Sequence, residues 1–180
     1  AKLCELARQY NCLSIVDAVT SLGGIELKTD EWGVDAIYSG TQKCLSCVPG
    51  LSPVSFSQRA VEAIRSRKHP VQSWFLDLNL VMAYWGGESK RSYHHTAPVN
   101  ALYALHESLL ILKEEGLANA HQRHQLHHQA LVAGLQAMGL EMAVKVDYRL
   151  PQLNTVKVPD GIDEAQTREL LLQNWDLEIG

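Results

Sequence analysis

The stretch Asp35-Ala36-Ile37-Tyr38-Ser39-Gly40-Thr41-Gln42-Lys43 carries a short apolar strand that leads into a polar loop with a lysine. An earlier apolar run, Leu13-Ser14-Ile15-Val16, leads into Asp17 and a segment that closes on Gly23-Gly24. Ligands of α/β sheets bind in the crevice outside the carboxyl ends of the strands. The two strands are therefore expected to deliver an acid and an amine to such a crevice.

The first part of the chain alternates between helical and strand patterns. We predict a helix over 2–10, strands over 13–16, 36–39 and 53–56, and a helix over 58–67. This order is typical of an α/β fold with a mainly parallel sheet. The aromatic region 74–87 is predicted to be irregular, and a polar loop follows over 86–92.

Beyond Pro98 the apolar period becomes helical. Leucine recurs about one turn apart from 102 to 112, which predicts a helix that ends near Gly116. We predict a second helix over 117–138, short strands over 141–146 and 155–158, and a helix over 163–175 that Asp163 caps. Residues 1–115 are thus assigned to part of one domain, and residues 116–180 to part of a smaller α+β domain.

Composition narrows the possible partners. The 180 residues are 46% hydrophobic and 20% charged with a net charge of -4, so there is no basic excess for nucleic acid or an acidic membrane surface. No apolar run approaches the roughly 20 residues of a membrane span, and no signal-peptide core is evident. We expect an intracellular protein. Because the sequence begins inside a helical pattern and stops after a strand-like segment, we also expect a fragment.

Two sets of residues have metal-ligand or redox spacing. Cys44-Leu45-Ser46-Cys47 has the CxxC spacing of a redox pair or half a zinc site, but a second pair is absent, which favours structural thiols. His124 and His128 share a helical face, where a solvated polar surface is favoured over zinc. His94 and His95 are interpreted as structural or site-lining residues. We predict no metal.

The acid and the amine are more informative together than apart. Alone, Lys43 is typical of a solvated loop residue and Asp17 of a cap or turn. Together they suit pyridoxal phosphate, which needs a lysine that attacks a carbonyl carbon and a carboxylate at the pyridine nitrogen. The cofactor hypothesis explains the ends of both strands.

These motifs also carry a family resemblance. The stretches 17–24 and 38–43 and the pair Pro49-Gly50 resemble the class V group of fold-type I pyridoxal-phosphate aminotransferases. Trp85-Gly86 and the stretch Tyr93-His94-His95-Thr96-Ala97-Pro98 resemble the alanine-glyoxylate (serine-pyruvate) aminotransferases within that group. The resemblance covers essentially the whole chain. It implies part of a three-layer α/β/α large domain with a mainly parallel sheet, and part of a small α+β domain.

The resemblance implies a role for each matching residue. Lys43 corresponds to the Schiff-base lysine that then carries a proton, and Asp17 to the partner of the pyridine nitrogen. Val19 matches the residue that packs on one ring face, and Gln42 a side chain that contacts the phosphate.

Two further matches imply a second subunit. Tyr93 and Thr96 match phosphate ligands that come from the other chain in this family. The resemblance therefore implies a homodimer with shared active sites.

The implied activity moves an amino group from alanine or serine to glyoxylate or pyruvate, so the substrates are small amino acids and 2-oxo acids. The resemblance also implies a location in peroxisomes or mitochondria.

Two alternatives to this activity stay open. One is a class V lyase such as a cysteine desulfurase, although those enzymes typically have histidine where this chain has Gln42. The other is an inactive fragment or pseudoenzyme, because the family's phosphate loop and carboxylate-binding arginine would lie outside the sequence.

Overall fold

The computed structural model describes residues 1–85 and 92–180. Most of the predicted polar loop 86–92, including Gly86 of the Trp85-Gly86 motif, lies outside the described residues. The described chain forms two compact units, residues 1–121 and residues 122–180. The domain boundary at 115/116 stays a prediction. Within the described ranges, no helix is both long and apolar enough to cross a membrane.

The first unit alternates helices and strands, which confirms the predicted α/β fold. Its elements, together with the helix that leads into the second unit, are α1 (Lys2–Gln9), β1 (Ile15–Asp17), β2 (Ala36–Tyr38), β3 (Val54–Phe56), α2 (Gln58–Arg65), α3 (Leu78–Tyr84), α4 (Val99–Glu115) and α5 (Leu117–Ala137).

The sheet has the order β1-β2-β3 and is mixed. β1 and β2 are parallel and pair Asp17 with Tyr38, whereas β2 and β3 are antiparallel. The expectation of a mainly parallel sheet therefore holds for one of the two strand pairs described here. A parallel pair needs a crossover, which is usually a helix. Residues 39–53, which connect β2 to β3, instead fold as turns around the buried Thr41, and β3 returns antiparallel to β2.

A buried carboxylate ties the sheet to α2. The Asp35 side chain is 2% exposed and accepts hydrogen bonds from Ser14 N (3.0 Å), Ser14 Oγ (3.2 Å) and Ser57 Oγ (3.1 Å). It also forms a 2.9 Å ion pair with Arg59. Ser57 is in addition the N-cap of α2, because its side chain accepts from Ala60 N. The residue that precedes β1 and the residue that joins β3 to α2 thus converge on the acid that precedes β2.

The prediction that 74–87 is irregular is wrong for Leu78–Tyr84, which forms α3. Asp77 caps this helix, since its side chain accepts a hydrogen bond from Asn79 N at 3.0 Å. An aspartate at the N-cap followed by leucine, methionine and alanine is an adequate helix signal. The aromatic residues on either side of the segment obscured that signal.

In the second unit, α6 (Glu164–Trp175) is confirmed together with its cap, since the Asp163 side chain accepts from Gln166 N. The predicted strands 141–146 and 155–158 are wrong, because the described residues there form one isolated bridge, Met142 to Val156. The chain enters a 3-10 helix at Val146–Tyr148, so the pairing does not extend into a ladder.

Candidate active site

Asp17 is the last residue of β1, and its side chain is held at both oxygens. Oδ1 accepts a hydrogen bond from Val19 N at 2.8 Å, and Oδ2 accepts one from the Tyr38 hydroxyl at 2.8 Å. The Val19 amide and then the Tyr38 hydroxyl hold the pKa of Asp17 below its usual value. Asp17 is exposed, so the strand end presents a fixed anion to solvent at neutral pH.

Lys43 and Gln42 lie exposed on the turn that follows β2. The turn is built around Thr41, which is fully buried. The Thr41 hydroxyl donates to Val48 O at 2.7 Å, and Cys47 N donates to Thr41 O at 3.0 Å. The exposed amine of Lys43 is therefore carried by a turn whose backbone is fixed from within.

The segments after β1 and β2 are bonded to each other. The Ser39 hydroxyl donates to Ala18 O at 2.9 Å, and Ala18 N donates to Tyr38 O at 2.8 Å. Further along, the Cys44 thiol donates to Thr20 O at 3.4 Å. These contacts hold the segment that contains Asp17 against the segment that leads to Lys43.

Gly23 allows this close approach, and Gly40 leaves room for a side chain of its own loop. Gly23 has φ +86°, and a Cβ there would lie 3.2 Å from Leu45 Cδ2 in the turn after Lys43. At Gly40 a Cβ would lie 2.7 Å from Gln42 Oε1, so the Gln42 amide folds over the start of its own loop. The small residues let both loops pack against one edge of the sheet.

Tyr93 and Thr96 form a pair, since their hydroxyl oxygens lie 2.7 Å apart. Tyr93 is 72% exposed, and the two hydroxyls face the same side of the short segment 92–98. In the described ranges 1–85 and 92–180, no hydrogen bond or ion pair joins this pair to Asp17 or Lys43. Their role at the site of a second chain stays a prediction.

His94 anchors the segment that carries this pair. It is 3% exposed and stacks on Trp74 with ring centroids 4.0 Å apart. Its Nε2 is bonded to Trp74 O at 3.0 Å, and its Nδ1 to His95 Nδ1 at 2.7 Å. His95 in turn packs against Phe75 and Tyr84. The two histidines thus lie in an aromatic cluster in which Tyr84 contacts both His95 and the ring of Tyr93.

The remaining candidates are dispersed. Cys47 is half-buried, and its backbone amide donates to Thr41 O within the turn. His128 forms a 2.6 Å hydrogen bond between its Nδ1 and Asn154 Oδ1. Across residues 1–85 and 92–180 the structure shows no cluster of three metal-ligating side chains.

Sequence reasoning missed Tyr38 as a partner of Asp17. The available signal was positional, since each residue is the last of its strand and the ends of adjacent parallel strands can align. The hydrogen bond itself depends on the register, which the sequence pattern does not specify for such short strands.

Comparison with known proteins covers almost the whole chain. The family model described as aminotransferase class-V matches residues 1–179. The chain is 43% identical to an alanine-glyoxylate aminotransferase of Drosophila melanogaster over 99% of this chain and 46% of that protein. It is 37% identical to an (S)-ureidoglycine-glyoxylate transaminase of Bacillus subtilis over 97% of this chain and 46% of that protein.

A solved structure agrees with the fold. The crystal structure of an alanine-glyoxylate aminotransferase from Nostoc sp. is similar with a TM-score of 0.93 and 47% identity, over 99% of this chain and 47% of that one. The chain therefore spans about half the length of the relatives that it matches.

Proposed function

The chain belongs to the class-V aminotransferase family, and we propose that the protein catalyses pyridoxal-phosphate-dependent transamination between a small amino acid and a 2-oxo acid. The observation that carries the proposal is the edge of the sheet where a fixed anion, Asp17, and an exposed amine, Lys43, lie on segments bonded to each other.

The residues present fit pyridoxal phosphate. Asp17 is anionic and exposed, and each of its oxygens keeps lone-pair capacity for one more donor, as a protonated ring nitrogen requires. Lys43 would hold the aldehyde carbon, Val19 would pack on the ring, and Gln42 would contact the phosphate. Bound there, the cofactor supplies the electron sink that makes the substrate's α-proton acidic.

The chain's own residues perform the remaining work. Once the substrate's amine has displaced it, Lys43 Nζ would take the proton from the substrate's α-carbon and deliver it to the cofactor's C4′, and a fixed turn keeps that amine within reach. Asp17 Oδ1 and Oδ2 keep the ring nitrogen protonated, because both oxygens are bonded in a way that favours the anion.

For the acceptor we propose glyoxylate. The two relatives described above use different donors according to their names, alanine and (S)-ureidoglycine, but share glyoxylate. The higher identity to the alanine enzyme supports alanine as donor, with serine and pyruvate as the other pair that the resemblance implies. Both relatives are transaminases and residue 42 is glutamine, so a lyase is not favoured.

The experiment uses the full-length protein with alanine and glyoxylate, and follows pyruvate with a coupled dehydrogenase. We expect Lys43→Ala to abolish activity, since the nucleophile is lost, and Lys2→Ala, an exposed lysine on α1, to leave it unchanged. Borohydride reduction of the loaded protein should leave a cofactor adduct on the Lys43 peptide. A protein that stays colourless with added cofactor would support the pseudoenzyme alternative and refute this proposal.

We also propose a homodimer in which Tyr93 and Thr96 reach the phosphate of the partner's cofactor. The bonded hydroxyl pair on an exposed segment supports this arrangement. Mixing inactive Lys43→Ala with inactive Tyr93→Phe subunits should restore about a quarter of the activity, because half of the dimers are mixed and each regains one intact site. No recovery would refute shared sites.

Peroxisomal or mitochondrial location is a further proposal, supported by the resemblance of the 93–98 stretch. A fluorescent fusion of the full-length protein, viewed beside markers of both organelles, tests it. A diffuse signal would refute it.

A further inference from the structure

The Tyr38 hydroxyl is the one side-chain donor that the described structure gives to Asp17. Parallel register places the two residues opposite each other at the ends of β1 and β2. The hydroxyl lies 2.8 Å from Asp17 Oδ2, while Val19 N occupies Oδ1. With one donor on each oxygen, the carboxylate plane has a single orientation, and its remaining lone pairs are left for a third group.

The direction of the bond is fixed by charge. The hydrogen bond to Asp17, then burial and the negative charge of Asp17, raise the pKa of Tyr38, so the phenol keeps its proton at neutral pH. The same bond, after that of the Val19 amide, lowers the pKa of Asp17. Tyr38 is therefore always the donor, and Asp17 always the acceptor.

We propose that Tyr38 is a positioning residue, which acts on the ring nitrogen of the cofactor by holding the Asp17 carboxylate in the orientation that accepts a hydrogen bond from the protonated nitrogen. The inference rests on the proposed function. It assigns Tyr38 no direct contact with substrate or cofactor.

The hydroxyl can be removed without removing the strand contacts of Tyr38. Its backbone O accepts from Ala18 N at 2.8 Å, and its backbone pairs with Val54 of β3. Both contacts are available to phenylalanine. The side chain is also partly solvated, since Tyr38 is 41% exposed, so Tyr38→Phe leaves no large cavity. The variant isolates the one hydrogen bond.

The test is a double-mutant cycle on cofactor affinity. Apo-protein is titrated with pyridoxal phosphate for the wild type, Tyr38→Phe, Asp17→Asn and the double variant. We expect Tyr38→Phe to weaken binding about five- to tenfold in the wild type, as for one charge-assisted hydrogen bond at a partly exposed site. In the Asp17→Asn background the same change should cost less than about twofold, because the charged acceptor through which it acts is gone.

Two controls accompany the cycle. Tyr10→Phe removes a hydroxyl from a tyrosine that is 75% exposed at the end of α1, and should leave affinity unchanged. A cofactor analogue with CH in place of the ring nitrogen should bind the wild type and Tyr38→Phe equally well, which supports action through that nitrogen.

The outcomes separate the two proposals. The positioning role is overturned if Tyr38→Phe weakens cofactor binding equally in the wild-type and Asp17→Asn backgrounds, or if it weakens binding of the analogue as much as that of pyridoxal phosphate. Either result leaves the proposed function intact. A wild-type apo-protein that binds no pyridoxal phosphate and yields no Lys43 adduct overturns the proposed function itself. The urea midpoint of Tyr38→Phe should match that of the wild type. If it does not, the analogue still tests the positioning role, because pyridoxal phosphate and the analogue are then compared on the same Tyr38→Phe protein.

Discussion

Replacing Asp35 by alanine should destabilise the protein more than any change at an exposed acid. Asp35 is 2% exposed and accepts from Ser14 N, Ser14 Oγ, Ser57 Oγ and Arg59 Nη1 at 2.9 to 3.2 Å. The variant leaves a backbone amide without its acceptor, and a guanidinium without its counter-charge.

The magnitude follows from these losses. Removing one partner of a buried ion pair costs about 3–5 kcal/mol, and a stranded buried donor about 1–3 kcal/mol. The two costs overlap, because both describe the same desolvated donors. The Arg59 side chain is 30% exposed, so water can solvate its guanidinium once the acid is gone. We therefore expect a loss near the lower end, about 3 kcal/mol of unfolding free energy.

Urea unfolding at pH 7, followed by circular dichroism, measures the loss. The slope with urea should not change, so that the midpoint shift reports stability alone. Asp30→Ala is the matched control, because Asp30 is an exposed acid in the same unit, and should shift stability by less than about 0.5 kcal/mol. An Asp35→Ala loss below about 1 kcal/mol, or one equal to that of the control, would refute the reasoning.

Three more predictions concern stability. Burial alone would raise the pKa of Asp35, but hydrogen bonds from Ser14 and Ser57 and the Arg59 charge together outweigh it, so the pKa is lowered. The contribution of Asp35 to folding stability is therefore complete above about pH 4 and is lost as the pH falls through the lowered pKa. Urea midpoints from pH 7 to pH 2 should show this acid loss in the wild type, and Asp35→Ala should show a smaller one, because the lowered pKa of Asp17 still contributes. Gly23→Ala should cost about 1–3 kcal/mol, because φ is +86° and Leu45 Cδ2 is 3.2 Å away, which thermal unfolding measures. Gly134→Ala, in α5 with open space around it, should instead raise stability by about 0.5–1 kcal/mol in the same assay.

The sequence predicted best those features that depend on neighbouring residues. The long helix α4 follows from its leucine period, and α6 with its Asp163 cap follows from a local signal. The ends of β1 and β2, where Asp17 lies and from which the loop to Lys43 departs, were also evident as apolar runs that stop at polar residues.

Features that depend on distant contacts were not predictable in the same way. The antiparallel direction of β3 depends on how the connection 39–53 folds around Thr41. The burial of Asp35 depends on residues 21 to 24 positions away in sequence. The same holds for Tyr38, which donates to an acid 21 positions earlier. Thr41, Asp35 and Tyr38 thus acquire their roles through contacts between segments separated in sequence, which no local sequence pattern describes.

The bonds of His94 fix where its protons reside. Trp74 O can only accept, so His94 Nε2 carries hydrogen, and the neutral ring must then accept at Nδ1 from the N–H of His95 Nδ1. The hydrogen bond between the two rings is therefore directional: His95 donates and His94 accepts. One tautomeric arrangement thus joins the 92–98 segment to the backbone at Trp74, through a ring that is almost fully buried.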